Sequence, residues 1–320
     1  MRHIFLIDPL EKLVVKKDST LLLALEAKKT VPSFILFEKD FSINSFSPEK
    51  LFVYPFHGET KKDEYFIESF DLEDPLTIDL NEQDVIHMRL DPPFNMRYMQ
   101  ILWKLMNLKA LGITVINDPQ AIAIHNEKLF VLQYPNFSIP TLLARSTQNL
   151  KDFTEQVKKQ FHGLEYLIVK PVDLYQGLGV KKIFLDQSEK EVLDFISEYK
   201  MAVIQPYLKE IEQGEIRSVY FGGECLGNIL KTPKAGAFLA NVAQGASYKS
   251  ISLNQKQKQA CDQVSADLLE KGIQWIAYDL IGDYISEVNV TCPGLIVEVS
   301  SSNKINLAKE ILKQIKVLGC

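Results

Sequence analysis

A chain of 320 residues with 46% hydrophobic composition is long enough to build two or three packed units. Its net charge of −5 argues against a nucleic-acid binder, which would show a basic face, so any nucleotide chemistry must come from local lysines, arginines and divalent cations. Cys225, Cys261, Cys292 and Cys320 are widely spaced with no C-x-x-C pair, a pattern of free thiols in a reducing compartment rather than a zinc site or disulfide framework.

The first apolar run, Ile4–Ile7, stops at Asp8, too early for a signal-peptide core. No run approaches the roughly 18 apolar residues of a membrane span, so a soluble, cytoplasmic protein with no membrane partner is expected. His3–Ile7 reads as a strand ending at Asp8-Pro9, and Asp18–Ala27 as a helix capped by Asp18 or Ser19. Phe41–Pro75 has few clean periods and reads as short edge strands and loops. Val85–Leu90 is a second strand, ending at Asp91-Pro92-Pro93; Met99–Leu111 is a helix stopped by Gly112; Ile113–Asn117 is a third strand, ending at Asp118-Pro119.

This alternation predicts a parallel, doubly wound sheet, with ligands beyond the carboxyl ends of its strands. All three Asp-Pro steps fall there. For Asp8 and Asp118, plain turn chemistry is the simpler account. Arg89 and Asp91 share a strand face before two prolines, as a cation–anion pair that reads a zwitterionic or carboxylate substrate, or else as a private salt bridge.

Asn126-Glu127-Lys128 opens the apolar run Leu129–Leu132, with Asn126 as a helix cap. A lysine in a first turn opposes the helix dipole, which points to another task for Lys128. Thr141–Arg145 reads as a strand, Leu150–Phe161 as a helix, and Tyr166–Lys170 as a strand leading to Gln176-Gly-Leu-Gly179 and a further strand, Lys181–Leu185. A lysine at a strand end before a glycine loop can set an ammonium and backbone N–H groups around phosphates. The spacing is neither a Walker A loop nor a dinucleotide fingerprint, and Gly177 and Gly179 alone would be a hairpin turn. Lys128 and Lys170 on either side of a small α+β unit argue for a mobile lid over a nucleotide.

Strands at Met201–Leu208, after Arg217 and at Cys225–Leu230 precede a flexible stretch, Thr232–Tyr248, and a helix, Lys256–Lys271. Trp275–Ile281 and Ile285–Val290 then form a hairpin about Gly282-Asp283. Asp279, Glu287 and Asn289 lie inside these apolar strands, where burial is costly unless they are paired or hold a cation. Three hard oxygen donors suit Mg²⁺ in company with phosphate; a polar, solvated face is the alternative. A two-residue turn would pair Asp279 with Ser286 and send Glu287 to the opposite face. For both carboxylates to share a cation, the loop must be Gly282-Asp283-Tyr284, or the ladder must carry a bulge.

The order of these parts resembles the ATP-grasp carboxylate–amine ligases, and within them the prokaryotic glutathione synthetases. The resemblance spans nearly the whole chain. It rests on Lys16-Lys-Asp-Ser19, Met88-Arg-Leu-Asp-Pro-Pro-Phe94, Asn126-Glu-Lys-Leu-Phe130, Val169-Lys-Pro171, Gln205-Pro-Tyr-Leu208, Asp279-Leu-Ile-Gly-Asp283 and Glu287-Val-Asn-Val-Thr291. It implies an α/β chain: an N-terminal doubly wound parallel-sheet domain over 1–124, then an ATP-grasp pair of α+β subdomains. The lid would be 132–204, and 125–131 with 205–320 the subdomain bearing the metal hairpin.

The resemblance implies ATP, with Lys128 and Lys170 on its phosphates and Gly177 and Gly179 folded over them. Gln205, Tyr207 and Leu208 would take the adenine, and Glu215 the ribose. Arg217 and Lys231 would face the transferred phosphoryl group, while Asp279, Glu287 and Asn289 would carry Mg²⁺, with Mn²⁺ as an alternative ion. Arg89, Asp91 and Asn241 are the candidate substrate contacts. The implied reaction activates the C-terminal carboxylate of γ-glutamylcysteine as an acyl phosphate, which the amine of glycine then attacks. Cations must hold the two anionic reactants in line, and a loop, naturally Thr232–Tyr248, must exclude water. By analogy the family also suggests a homo-oligomer.

Three departures bear on substrate rather than on ATP. The covering stretch Ala237–Gly245 lacks the family's arginine, Lys231 stands where the family has arginine, and Val297-Glu298 replaces arginine-glutamate. The alternative reading is therefore an ATP-grasp ligase joining a different carboxylate to an amino acid or amine; a kinase or a regulator on the same fold ranks below it.

Overall fold

The computed structural model describes residues 1–61 and 64–318; Cys320, expected as a free thiol, lies outside the described residues. Cys225, Cys261 and Cys292 are free thiols. The chain opens with β1 (His3–Ile7), α1 (Ser19–Lys28) and β2 (Ser33–Phe37). Four short strands follow, β3 (Lys50–Val53), β4 (Phe56–Thr60), β5 (Ile67–Leu72) and β6 (Leu76–Asp79). They resolve the irregular stretch into two antiparallel pairs, β3 with β6 and β4 with β5. Then come β7 (Val85–Arg89), α2 (Met96–Ala110), β8 (Thr114–Ile116) and α3 (Pro119–Ile124).

β2, β1, β7 and β8 lie in that order in one parallel sheet. Every residue of β1 and β7 is buried, as strands covered on both faces require. The strand order reverses between β1 and β7, and Asp8 and Asp91 follow those two strands at this switch point. α1 begins where the Asp18 carboxylate accepts the N–H groups of Thr20 and Leu21, each at 2.8 Å. Asp118 is likewise a cap, accepting from Gln120 N at 2.9 Å with Pro119 in the first helical turn.

β9 (Leu142–Ala144), α4 (Leu150–Gln160), β10 (Tyr166–Lys170), β11 (Lys181–Phe184), α5 (Ser188–Tyr199) and β12 (Ala202–Pro206) make a second unit. Its antiparallel sheet runs β11-β10-β12-β9 over a core of its own, including Leu167, Val169, Ile183 and Phe195. The helix expected from Leu129 shrinks to one 3₁₀ turn, Phe130–Gln133, because Pro135 offers no N–H to extend it. Asn126 instead turns the chain, accepting from Lys128 N at 3.0 Å and Leu129 N at 3.3 Å.

The remainder holds β13 (Glu215–Phe221), β14 (Glu224–Thr232), β15 (Ser247–Ser250), α6 (Gln255–Glu270), β16 (Trp275–Ile281), β17 (Tyr284–Asn289), α7 (Ile296–Asn303) and α8 (Leu307–Leu318). The strands form an antiparallel sheet ordered β15-β14-β13-β16-β17. Tyr220, Ile276 and Tyr278 on one face pack with Val264 of α6 and Leu105 of α2. Val219, Phe221 and Trp275 on the other pack with Leu22 of α1, Val297 of α7 and Ile311 of α8. Both clusters also take in β1 and β7, so this sheet and the parallel sheet share one interior, while the middle unit keeps its own. Among the described residues no helix is long and apolar enough to cross a membrane.

The hairpin keeps its two-residue turn, with Ile281 opposite Tyr284 and Leu280 opposite Ile285, yet Asp279 stands opposite Glu287. The longer Gly282-Asp283-Tyr284 loop does not form. A bulge at Ser286 supplies the odd residue instead, so that Ile285 and Val288, three apart, both face the α6 side.

Candidate active site

Alternation along the strands sorts side chains by face. Arg217 pairs with Asp279 across β13 and β16, and Lys231 on β14 falls on the same side. The bulge brings Glu287 and Asn289 to that side too. This is the Trp275 face, and its polar half opens on a cavity of about 580 Å³.

Asp279 is the centre of the arrangement. Its oxygens accept from Arg217 Nη2 at 2.8 Å, Arg217 Nε at 3.1 Å, Lys231 Nζ at 2.7 Å and Asn289 Nδ2 at 3.1 Å. Burial works against its charge, but Arg217 and Lys231 outweigh burial and hold the carboxyl below the usual range. Lys231 also donates to Glu215 Oε2 at 2.6 Å, yet burial keeps the Glu215 carboxyl above its usual range. One lysine shared by two carboxylates favours the one that also has Arg217. Asn289 spends its N–H₂ on Asp279 and on Ala277 O at 2.9 Å, which leaves its carbonyl oxygen as a free acceptor.

Across the cavity stand the two lysines. Lys128 Nζ donates to Leu174 O and lies 3.6 Å from Glu287 Oε1. Lys170, at the end of β10, has its pKa lowered by burial, against the pull of Glu287 and Glu215. The glycine loop after it needs its glycines: Gly177 and Gly179 have φ of +76° and +71°, and a Cβ on Gly179 would meet Pro171 Cγ at 2.7 Å. Gly177 lines the cavity and Gly179 stands behind it. Asn241 joins the covering stretch to this loop, donating to Gln176 O at 2.6 Å and accepting from Ala243 N at 2.9 Å.

At the other end, β12 runs out of the middle unit and lays Gln205, Tyr207 and Leu208 along an apolar slot with Ile168, Ile211 and Ile281. Gln205 is fixed by Thr141 Oγ1 at 2.9 Å, and Tyr207 by its N–H to Tyr166 O at 3.0 Å.

Arg89 and Asp91 do not form the expected pair. Arg89 donates to Thr20 Oγ1 at 3.0 Å and Pro293 O at 2.7 Å and lies over the Trp275 ring, 4.1 Å from its centroid. Among the described residues no ion pair joins it to Asp91, which lines the cavity with its carboxyl beside the Cys292 thiol. Val297 is fully buried in the apolar cluster, while its neighbour Glu298 lines the cavity.

Two supporting residues escaped the reading from sequence. Asn117 takes N–H groups from Gln274 at 2.9 Å and Trp275 at 2.7 Å, and donates to Trp275 O at 2.7 Å and Val290 O at 2.9 Å. All four of its hydrogen-bonding positions tie β8 to the hairpin. Glu127 Oε1 accepts from Val290 N and Thr291 N, both at 2.9 Å, and from Thr291 Oγ1 at 2.6 Å, fixing the backbone just beyond Asn289. A glutamate beside the singled-out Lys128 was the available signal for the second; nothing local marks the first.

Comparison with known proteins places the geometry. A family model described as "Prokaryotic glutathione synthetase, ATP-grasp domain" matches residues 127–304, and the corresponding N-terminal domain model matches residues 1–123. The chain belongs to the prokaryotic glutathione synthetase family. The glutathione synthetase of Pseudomonas syringae pv. tomato is 30% identical over 97% of this chain and 95% of its own length. That of Wigglesworthia glossinidia brevipalpis is 28% identical over 98% and 96%. Among solved structures, a D-cycloserine synthetase superposes with TM-score 0.67 at 12% identity, covering 98% of this chain and 99% of its own. The D-alanine–D-alanine ligase of Bacillus anthracis, solved with ATP, gives TM-score 0.57 at 15% identity over 100% and 98%. These structures share the fold. The expected α/β ATP-grasp architecture and the expected ATP-dependent ligase of glutathione synthesis both stand on this membership.

Proposed function

We propose that this glutathione synthetase family member uses ATP to join the C-terminal carboxylate of γ-glutamylcysteine to the amine of glycine, through an acyl phosphate, in the cytoplasm. The observation that carries the reading is the convergence on Asp279 of Arg217, Lys231 and Asn289, opposite Glu287, from four strands of one sheet. In this reading residues 1–124 form the substrate side, 132–204 the lid, and 125–131 with 205–320 the metal-bearing unit.

The residues fit a magnesium ion. Among the described residues no three carboxylate, histidine or cysteine side chains converge into an all-protein cage. Mg²⁺ keeps waters and phosphate oxygens and asks a protein for only one or two carboxylates. Asp279, Glu287 and the free Asn289 carbonyl oxygen would hold it, with Mn²⁺ as the alternative, and it would neutralise charge on the transferring phosphoryl group.

Lys128 and Lys170 would hold the triphosphate beneath the glycine loop. The apolar slot with Gln205, Tyr207 and Leu208 would take the adenine, and Glu215 the ribose. Arg217 and Lys231 sit where a carboxylate and a γ-phosphate would meet, and screen their repulsion. Asn241 holds the covering stretch against the glycine loop, which would keep water from the acyl phosphate. Arg89 fixes the floor beneath the carboxylate substrate.

The test is coupled ADP release with γ-glutamylcysteine and glycine. Turnover with another acceptor or donor alone would defeat the glutathione reading. That second reading, a ligase for another carboxylate or amine, is favoured by the covering stretch without arginine and by Lys231, which Glu215 and Asp279 already engage. Val297 does not favour it, because that position points into the interior.

A further inference from the structure

Most carboxylates that line the cavity are engaged in holding the protein together. Asp18 caps α1, and one Glu127 oxygen takes three hydrogen bonds from the strand beyond Asn289. Glu215 and Asp279 are bound by Lys231, and Glu287 faces Lys128. Glu298 is 1% exposed, with one oxygen unpartnered. Asp91 is partly exposed, lines the cavity beside the Cys292 thiol, and its carboxyl neither caps a helix nor, among the described residues, joins an ion pair. Its own backbone is locked, since Asp91 N donates to Asp8 Oδ2 at 2.8 Å, and Pro92 and Pro93 stiffen the chain after it.

We propose that Asp91 is the general base that takes a proton from the attacking amine, a role that rests on the ligase reading above. A primary ammonium has no lone pair, so the second half-reaction cannot begin until a proton leaves. Of the three ammonium protons, one passes to an Asp91 oxygen, one leaves with phosphate and one stays in the amide. The nitrogen lone pair forms the C–N bond as the acyl C–O bond breaks, and inorganic phosphate departs with that electron pair. Asp91 returns its proton to solvent after product release.

The surroundings suit the task. Burial, with Asp8 at the end of β1 and Asp18 at the start of α1, raises the Asp91 carboxyl to about 6, against the opposing pull of Cys292 after β17 and of Arg89. Tyr98 of α2 and Tyr175, just before the glycine loop, also titrate close enough to feel its charge. A base of this strength is ionised at neutral pH and strong enough to compete for an amine proton.

Hydroxylamine separates this step from the others, because its nitrogen is already uncharged at neutral pH and needs no base. With the full-length protein, Asp91→Asn should cut glycine-dependent turnover at saturating glycine roughly 100-fold or more. It should leave hydroxamate formation from γ-glutamylcysteine and ATP within about twofold of wild type. The wild-type glycine rate should fall as pH drops through about 6, whereas the variant's residual rate should rise steadily with pH. Asp91→Glu, which keeps a carboxylate, should recover part of the glycine rate. Equal loss of both activities would overturn the proposal in favour of a structural role. A raised KM for glycine with unchanged kcat and pH profile would overturn it in favour of an ammonium clamp. Absence of both products from the wild type would instead refute the ligase reading on which it rests.

Discussion

Replacing Asp279 by asparagine keeps the shape of the side chain and removes its charge, together with one of the two oxygens that Arg217 and Lys231 share. Lys231 retains Glu215 at 2.6 Å, so Arg217 bears most of the loss. Unpairing a buried ion pair costs about 3–5 kcal/mol. With Glu215 still present and the cavity open on one side, about 2–3 kcal/mol is expected, read as a lowered urea midpoint. The effect on chemistry is larger in rate terms: losing one group that stabilises transition-state charge costs about 10²–10³ in kcat. ADP release at saturating Mg²⁺ and both substrates measures it, and wild-type turnover would refute the assignment of this residue. The pH dependence has a definite sign. The folded carboxyl sits below its unfolded pKa, so its contribution to stability is present above the unfolded value and is lost as pH falls through the folded one. Acid unfolding of Asp279→Asn should lack that component.

Three further perturbations test the framework. Asn117→Ala strands two buried N–H groups and two carbonyls; at about 1–3 kcal/mol per orphaned group, less where water enters, a loss of about 3 kcal/mol is expected, and an unchanged urea midpoint would contradict the tie between β8 and the hairpin. Gly179→Ala forces a side chain into φ +71° and against Pro171, so KM for ATP should rise several-fold while the fold persists by circular dichroism; an unaltered KM would remove the loop from nucleotide binding. His87 is buried on the Phe5 ring with Nε2 2.7 Å from His3 Nδ1, and burial, His3 and Arg89 lower its pKa well below the usual value. The unfolded chain therefore binds the extra proton first, and stability should fall below about pH 6.5 by up to about 1.4 kcal/mol per pH unit. His87→Phe should flatten that slope; the same slope in the variant would assign it elsewhere.

Much of this was legible because strand periodicity and glycine turns are local. The parallel strands His3–Ile7 and Val85–Arg89 and the Asp18 cap all follow from neighbouring residues, and so does the hairpin. The odd-residue requirement at Asp279 and Glu287 follows from strand parity alone; the choice of bulge over longer loop does not, because Ser286 carries no turn signal of its own. The opposite holds for Asn117 and Arg89. Asn117 is a single amide at a strand end, and its four partners lie about 160 positions away. Arg89 shares a strand face with its near neighbour Asp91, but the stacking face of Trp275 and the carbonyl of Pro293, distant in sequence, claim it instead. The α5 and α7 helices have no side-chain N-cap to announce them and are bounded by the sheets they cover, whereas α8 starts at a cap, Asn306, which accepts from Lys309 N at 3.1 Å.

The bulge at Ser286 makes the hairpin sensitive to frame in the way a coding sequence is. Loss of that one residue would restore a regular ladder with Asp279 still opposite Glu287, so the acids would keep the cavity side and Ile285 the α6 side. What the bulge averts is a regular ladder that includes Ser286, which would set Ser286 opposite Asp279 and turn Glu287 and Asn289 towards α6. The accommodation of one extra residue, rather than the length of the turn, therefore sets the face the acids take, and a descendant of this gene that lost Ser286 alone would keep them on the cavity side.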